Sequence, residues 1–244
     1  MRIGTWNVAY GIGQAANSRR RRQIEAIDAD IWVLTETHDD LRPGDHYADH
    51  SSAQRPPGAS TVRERSRWVS IWTRLPFMNK AVKLNDPERT TAALIDCGQC
   101  ALLVYGTVLP WYGDTERGGM GGALSAQAPE WASLPHEHGA PCCVAGDFNV
   151  NLGGPHVYGS RASKQLLSDA LRDAELDPVT DHSHQSDFYS NTRTGVNPHG
   201  LVNHIALSPQ LAATAKIVSI FGPRDSGGSF MSDHAGVVVE LEWP

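Results

Sequence analysis

The sequence predicts an α/β fold in which two mixed sheets pack together with helices on the outside. Three observations lead there. Apolar runs of strand length recur from one end of the chain to the other; several are joined by hairpin-like turns; and segments with apolar residues at helical spacing lie between them. A doubly wound nucleotide-binding sheet is disfavoured, because no G-x-x-x-x-G-K-S/T or G-x-G-x-x-G string follows a strand. ATP- or NAD-dependent chemistry, and a nucleotide cofactor generally, therefore has no support.

The elements follow in order. Residues 2–8 read as a strand, and Ser18 as the N-cap of a helix through about residue 26. Residues 31–34 are nearly all apolar, as in a strand buried on both faces. Residues 67–73 alternate Trp68, Ser70 and Trp72 against Val69 and Ile71. Residues 91–96 and 101–108 form a hairpin about Gly98-Gln99. Residues 109–122, with Pro110, Gly113 and Gly118-Gly119-Met120-Gly121-Gly122, read as a flexible loop, either a mobile lid or plain surface. A helix over 123–138, interrupted at Pro129 and Pro135, leads to a buried strand at 142–145. Residues 161–174 place Leu166, Leu167, Ala170 and Leu171 at helical spacing, and strands at 201–207, 216–220 and 236–241 close the chain.

A chain of 244 residues, 40% hydrophobic, fits a single domain over 1–244 with a substantial core. No apolar stretch is long enough to span a bilayer, and no charged-then-apolar leader precedes Thr5, so the expectation is a cytoplasmic protein without a membrane partner. A net charge of −6 does not suggest strong non-specific nucleic-acid binding. The average conceals two basic blocks: Arg19, Arg20, Arg21 and Arg22, then Arg63, Arg65 and Arg67. They read either as solvated surface or as contacts to a phosphate backbone. Cys97-Gly98-Gln99-Cys100 resembles half a zinc ribbon, but no second such pair exists. Cys142 and Cys143 are adjacent and point to opposite faces of a strand, so structural thiols are the simpler reading.

The chemistry lies in four strings, each just after an apolar run. They are Thr5-Trp6-Asn7-Val8, Leu34-Thr35-Glu36-Thr37, Gly146-Asp147-Phe148-Asn149 and Ser232-Asp233-His234. Together they supply hard oxygen ligands, amides able to orient a phosphate, and one titratable base, which is the equipment for hydrolysing a phosphate ester. A carboxylate such as Glu36 beside a buried strand is costly unless paired or metal-bound; the alternative is a surface acid. Asn7 could equally be a turn-forming residue. Asp147 and Asn149 flank Phe148 and can emerge on the same side of an extended segment; a simple Gly-Asp turn is the alternative. An imidazole titrates near neutral pH, which suits His234 to proton transfer.

In this order and spacing the four strings resemble the endonuclease/exonuclease/phosphatase superfamily. Its members include AP endonucleases, deoxyribonuclease I-like enzymes, sphingomyelinases and inositol-phosphate phosphatases. The pattern spans Trp6 to His234. The resemblance implies a four-layer α/β sandwich and in-line attack of water on phosphorus, with Mg²⁺ stabilising the developing charge. It makes Glu36 the principal Mg²⁺ ligand, with Asn7 helping to fix the metal and Asp233 a second carboxylate near it. Mn²⁺ in place of Mg²⁺ stays open. Asp147 would position or deprotonate the water, Asn149 would donate to a phosphoryl oxygen, and His234 would lie beside the phosphate. Whether His234 or Asp147 takes the proton stays open.

The chain departs from the family pattern at several positions. An Asp usually orients the catalytic His, in strings such as IDHI or LDYF; here Asn203 stands in that place. Asn203 can accept a hydrogen bond from the imidazole but cannot stabilise imidazolium with a full charge, and the analogous change in a serine protease costs about 10⁴. On this reading Asn203→Asp raises activity. Val108 occupies a position where AP endonucleases and deoxyribonuclease I-like enzymes carry a phosphate-touching Tyr or His. AP endonucleases also have Asn at Trp111 and Asp at about Ala9. These losses weaken the case for AP-site cleavage in particular.

The first substrate expectation is DNA or RNA. Arg19 and Arg20 would lie beside the cleft, His38 falls where AP endonucleases carry a Lys near DNA, and Trp111, Tyr112 and Phe188-Tyr189 could stack bases. The alternative is a small soluble phosphate ester, which fits the acidic total. The membrane-inserting apolar hairpin of some sphingomyelinases is not evident. A non-catalytic binding module is the third reading, against which six convergent polar groups argue.

Overall fold

The computed structural model describes residues 1–55, 64–152, 158–181 and 200–243. The first sheet holds β1 (Arg2–Asn7), β2 (Ile31–His38), β3 (Ala48–Ser51), β4 (Ser66–Thr73), β10 (Lys216–Phe221) and β11 (Gly236–Glu240). Its order is β10-β11-β1-β2-β4-β3. The second holds β5 (Phe77–Asn79), β6 (Thr90–Asp96), β7 (Ala101–Val108), β8 (Cys142–Asp147) and β9 (Asn203–Leu207), in that order. Both sheets are mixed: β1 runs parallel to β2, β7 parallel to β8, and the other pairings are antiparallel.

Between the sheets Ile31, Val33 and Ile71 meet Ile95, Val104 and Ile205, all fully buried. The approach is close: a Cβ on Gly106 would lie 2.6 Å from Val69 and 3.1 Å from Val33, so only glycine fits there. Helix α1 (Gln14–Ile27) covers Trp6, Trp32 and Leu34 on the outer face of the first sheet through Ile24. Helices α2 (Gly119–His138) and α3 (Arg161–Asp173) cover the second, with Trp131, Leu167 and Leu171 packed on Tyr105, Val144 and Phe148. A short α4 (Pro209–Ala212) follows β9. The result is the four-layer sandwich, helix on sheet on sheet on helix.

Several local expectations change. Helix α1 begins at Gln14, so Ser18 lies inside it and its hydroxyl donates back to the Gln14 carbonyl at 2.9 Å. Helix α2 starts at Gly119, absorbs the glycine run that read as loop, and passes through both Pro129 and Pro135. Its buried face, Met120, Leu124, Trp131 and Leu134, binds it to the sheet, and tertiary packing overrides weak propensity. For α3 the cap is Ser160, whose hydroxyl accepts from the Ser163 amide at 3.0 Å. Strand β2 continues four residues past Leu34. Strands β3 and β5 carry no apolar alternation and were not legible. The hairpin at Gly98-Gln99 is present, pairing Asp96 with Ala101. All four cysteines are free, with Cys142 in the outer core and Cys143 between the sheets. No helix among the described residues is long and apolar enough to cross a membrane.

Candidate active site

The topology brings the four strings to one edge of the sandwich. Parallel β1 and β2 carry Asn7 and Glu36 toward the same end. Asp147 ends β8, and antiparallel β9 starts opposite it, so Asp147 pairs with Asn203. Strand β11 runs antiparallel to β1, with Val237 beside Thr5, so the residues just before it, Asp233 and His234, reach the end of β1.

Asn7 is the hub. Its Oδ1 accepts from the Ala9 amide at 2.9 Å, which points Nδ2 at two carboxylates. That nitrogen donates to Glu36 Oε1 at 3.1 Å and to Asp147 Oδ2 at 2.9 Å. Asp147 Oδ1 accepts from the Asn149 amide at 3.0 Å, and its Oδ2 lies 3.7 Å from His234 Nδ1. Asn203 Nδ2 bridges His234 Nδ1 at 3.2 Å and the Ala235 carbonyl at 2.9 Å. The segment bearing His234 is pinned from behind: Ser232 Oγ donates to the Asn7 carbonyl at 2.6 Å and accepts from the His234 amide at 3.1 Å, while Trp6 Nε1 donates to the His234 carbonyl at 3.1 Å. Asn149 Nδ2 donates to the Leu109 carbonyl at 2.8 Å, which ties the site to the end of β7.

Glu36 has a left-handed backbone, φ 50°, inside a strand. Thr35 pairs with Val69 and Thr37 with Arg67, but the pair between them opens. A non-glycine residue held there costs on the order of 1–3 kcal/mol, and such strain concentrates at functional sites.

Burial pushes the carboxyls of both Glu36 and Asp147 up from their ordinary range. The hydrogen bonds from Asn7 and the nearby His234 oppose this only in part, and exposed Asp233 adds a repelling charge. Two carboxylates held against one amide, with a third nearby, form an electrostatic arrangement that a divalent cation would complete. Among the described residues no three Asp, Glu, His or Cys side chains form a closed cage. The groups present are oxygen donors, of the kind a hard divalent cation takes. Glu36, with Asp233 nearby, is the group that could hold it; the Asn7 carboxamide, expected as a ligand, instead turns its oxygen to the Ala9 amide and its N–H donors to Glu36 and Asp147.

Other expected residues stand apart. Arg20 is almost fully buried; it donates to the carbonyls of Met231 at 2.8 Å and Ile12 at 3.1 Å and to Asn17 Oδ1 at 2.6 Å. Burial lowers its pKa to about 10. Arg19 donates to the Phe230 carbonyl at 3.1 Å. Both thus brace the chain leading into Asp233-His234. His38 Nδ1 accepts from the Asp40 amide at 3.1 Å, so its Nε2 carries the proton and donates to the Glu64 carbonyl at 2.8 Å. Both ring nitrogens are thereby occupied. Arg65 and Arg67 face Asp39, at 3.4 and 2.9 Å. Trp111 and Tyr112 are open to solvent. Arg63 and Phe188-Tyr189 lie outside the described residues.

The positioning roles of Trp6 and Ser232 escaped sequence reasoning, although both stand in the quoted strings. Arg55, whose guanidinium stacks on Trp68 opposite the strand of Glu36, carried no motif at all.

The family model described as the endonuclease/exonuclease/phosphatase family matches residues 4–234. No curated protein sequence matches the chain. Among solved structures the chain is similar to the 3′ phosphatase NExo from Neisseria bound to a product DNA hairpin, at 17% identity, TM-score 0.68 and 100% coverage of both chains. It is similar to an AP endonuclease from Archaeoglobus fulgidus at 16% identity and TM-score 0.68, again over 100% of both. The catalytic domain of human Nocturnin with a bound sulfate anion matches at 14% identity and TM-score 0.68, covering 99% of this chain and 94% of that one. At these identities the structures establish a shared fold, and the family match spans all four strings. The chain therefore belongs to the endonuclease/exonuclease/phosphatase family of hydrolases acting on phosphate esters.

Proposed function

We propose that this protein is a Mg²⁺-dependent phosphodiesterase acting on DNA or RNA. The observation that carries the reading is the gathering at one edge of the sandwich of Asn7 hydrogen-bonded to Glu36 and Asp147, with His234, hydrogen-bonded to Asn203, 3.7 Å from Asp147. Held by Glu36 with Asp233 nearby, Mg²⁺ would supply stabilisation of negative charge during phosphate-ester hydrolysis. The side chains do the rest. The Ala235 carbonyl can only accept, so it draws the Asn203 amide nitrogen, and that nitrogen makes His234 Nδ1 an acceptor too. That tautomer places the His234 proton on Nε2, from which it donates to a phosphoryl oxygen. Asp147, oriented by the Asn7 side chain and the Asn149 amide, takes the water proton. Such a base contributes roughly 10²–10⁴ in rate.

Nucleic acid as substrate is supported by the relatives: NExo was solved with a product DNA hairpin, and the Archaeoglobus protein is an AP endonuclease. Exposed Trp111 and Tyr112 offer faces on which bases could stack. A small soluble phosphate ester is the second reading. It is favoured by the internal engagement of Arg19 and Arg20, which removes part of the expected track for a polyanion, and by the net charge of −6.

Nicking of supercoiled plasmid tests the first reading, with Mg²⁺, Mn²⁺ or EDTA and with His234→Ala as control. Metal-dependent nicking that falls by roughly 10²–10⁴ in the variant is the expected result. Absence of nicking, with metal-dependent turnover of small phosphate esters instead, moves the assignment to the second reading.

A further inference from the structure

Arg55 is a buried cation without a counter-ion. It is 8% exposed, yet among the described residues its guanidinium donates no hydrogen bond and has no carboxylate within ion-pair distance; Nη1 is wholly enclosed and unpartnered. Leaving such a group unsatisfied costs several kcal/mol. The two neighbouring basic side chains behave differently. Arg89 pairs with Asp114 at 2.8 Å, and Arg67 with Asp39 at 2.9 Å.

The position is held firmly. The guanidinium carbon sits 3.5 Å from the centre of the Trp68 ring, in stacking contact, and 5.7 Å from that of Tyr10. Trp68 stands where β4 faces the opened pair at Glu36, and Tyr10 follows directly on the Asn7 loop. Burial disfavours the charge on Arg55, and the field of Glu36 is the largest effect opposing it. Stacked on Trp68, the guanidinium is thus held on the strand pair that carries Glu36.

We propose that Arg55 is the anion-binding residue of this site, pre-oriented by Trp68 to take the phosphate oxygens of the substrate. A planar guanidinium fork matches two phosphate oxygens at once, and a stacked one loses little rotamer freedom on binding. The inference rests on the phosphoesterase reading for its catalytic consequence, though not for the binding of phosphate itself.

The test compares wild type with Arg55→Met and Arg55→Lys. Inorganic phosphate is titrated calorimetrically, and kinetics are measured with both a small phosphate ester and an oligonucleotide. The expected result is phosphate binding weakened tenfold or more in Arg55→Met and partly restored in Arg55→Lys. KM should rise at least tenfold for the preferred substrate, while thermal stabilisation by Mg²⁺ stays as in wild type. Arg55→Met that binds phosphate and turns over like wild type would overturn the assignment, as would wild type failing to bind phosphate. Should Arg55→Met not fold, Arg55→Lys decides alone, with weakened but measurable phosphate binding expected and unchanged binding overturning it. If wild type binds phosphate through Arg55 yet hydrolyses no ester, the subsite stands and the enzymatic reading fails.

Discussion

Asn203 donates one amide nitrogen to both His234 Nδ1, at 3.2 Å, and the Ala235 carbonyl, at 2.9 Å. Asp in its place would set a carboxylate against that carbonyl at a fully buried position, and would prefer a proton on Nδ1. The gain in activity expected for Asn203→Asp is thus opposed by a cost at Ala235. The wild-type ¹⁵N spectrum should show His234 protonated on Nε2, the variant should show Nδ1 protonated, and its unfolding free energy should fall by roughly 1–3 kcal/mol. A wild-type signal from Nδ1–H would refute the hydrogen-bond assignment.

Arg20 acts on the site through the backbone, three residues before His234 counted from Met231. Arg20→Met should lose on the order of 2–4 kcal/mol of stability, because it strands buried oxygens of Asn17 and Met231. It should lower kcat with little change in KM, and it should leave the salt dependence of turnover unaltered. A smaller salt slope in the variant would instead show Arg20 meeting a phosphate backbone.

Glu36→Gln removes one of two neighbouring carboxyls, half-buried Glu36 and buried Asp147, whose charges repel. In EDTA at neutral pH the variant should melt at or above wild type. On adding Mg²⁺ at about a hundredfold excess over its Kd, wild type should gain about 2.7 kcal/mol and the variant much less. Equal stabilisation of both proteins by Mg²⁺ would remove Glu36 from the metal site.

His204 is fully buried, donating from Nε2 to the Val150 carbonyl at 3.0 Å and facing Thr180 Oγ1 with Nδ1 at 3.1 Å. Burial depresses its pKa from 6.5 to about 4. The unfolded chain therefore binds a proton before the folded one. The resulting stability is fully present above pH ~6.5 and lost as pH falls toward ~4, by about 3 kcal/mol. Urea unfolding across that range should show this loss in wild type, and a flatter profile in His204→Gln. Parallel profiles would assign the acid sensitivity to other groups.

Much of the fold was legible. The all-apolar run beginning at Ile31, the alternation from Trp68 to Trp72 and the turn at Gly98-Gln99 are local signals, and each became the expected element. The edge strands at Ala48–Ser51 and Phe77–Asn79 left no such trace, because a short edge strand buries little and is held by its neighbour's backbone. The glycine run and two prolines of α2 misled for the complementary reason: their weak propensity is outweighed by Trp131 and Leu134 packing on the sheet.

By itself the sequence determined the family, the two-sheet architecture and the identity of the polar groups, because strand termini deliver side chains at positions that periodicity reveals. Only the tertiary structure decided what each group touches. Arg19, Arg20 and His38 look free along the chain, but each donates to a backbone carbonyl, while Arg55, without any motif, has an enclosed Nη1 that is unpartnered among the described residues and lies in the field of Glu36. At the site, hydrogen-bond partners come from residues as far as 228 positions away, as between Trp6 and His234. Whether a charge is available to a substrate depends on those distant partners and on burial, neither of which is a local property of the chain.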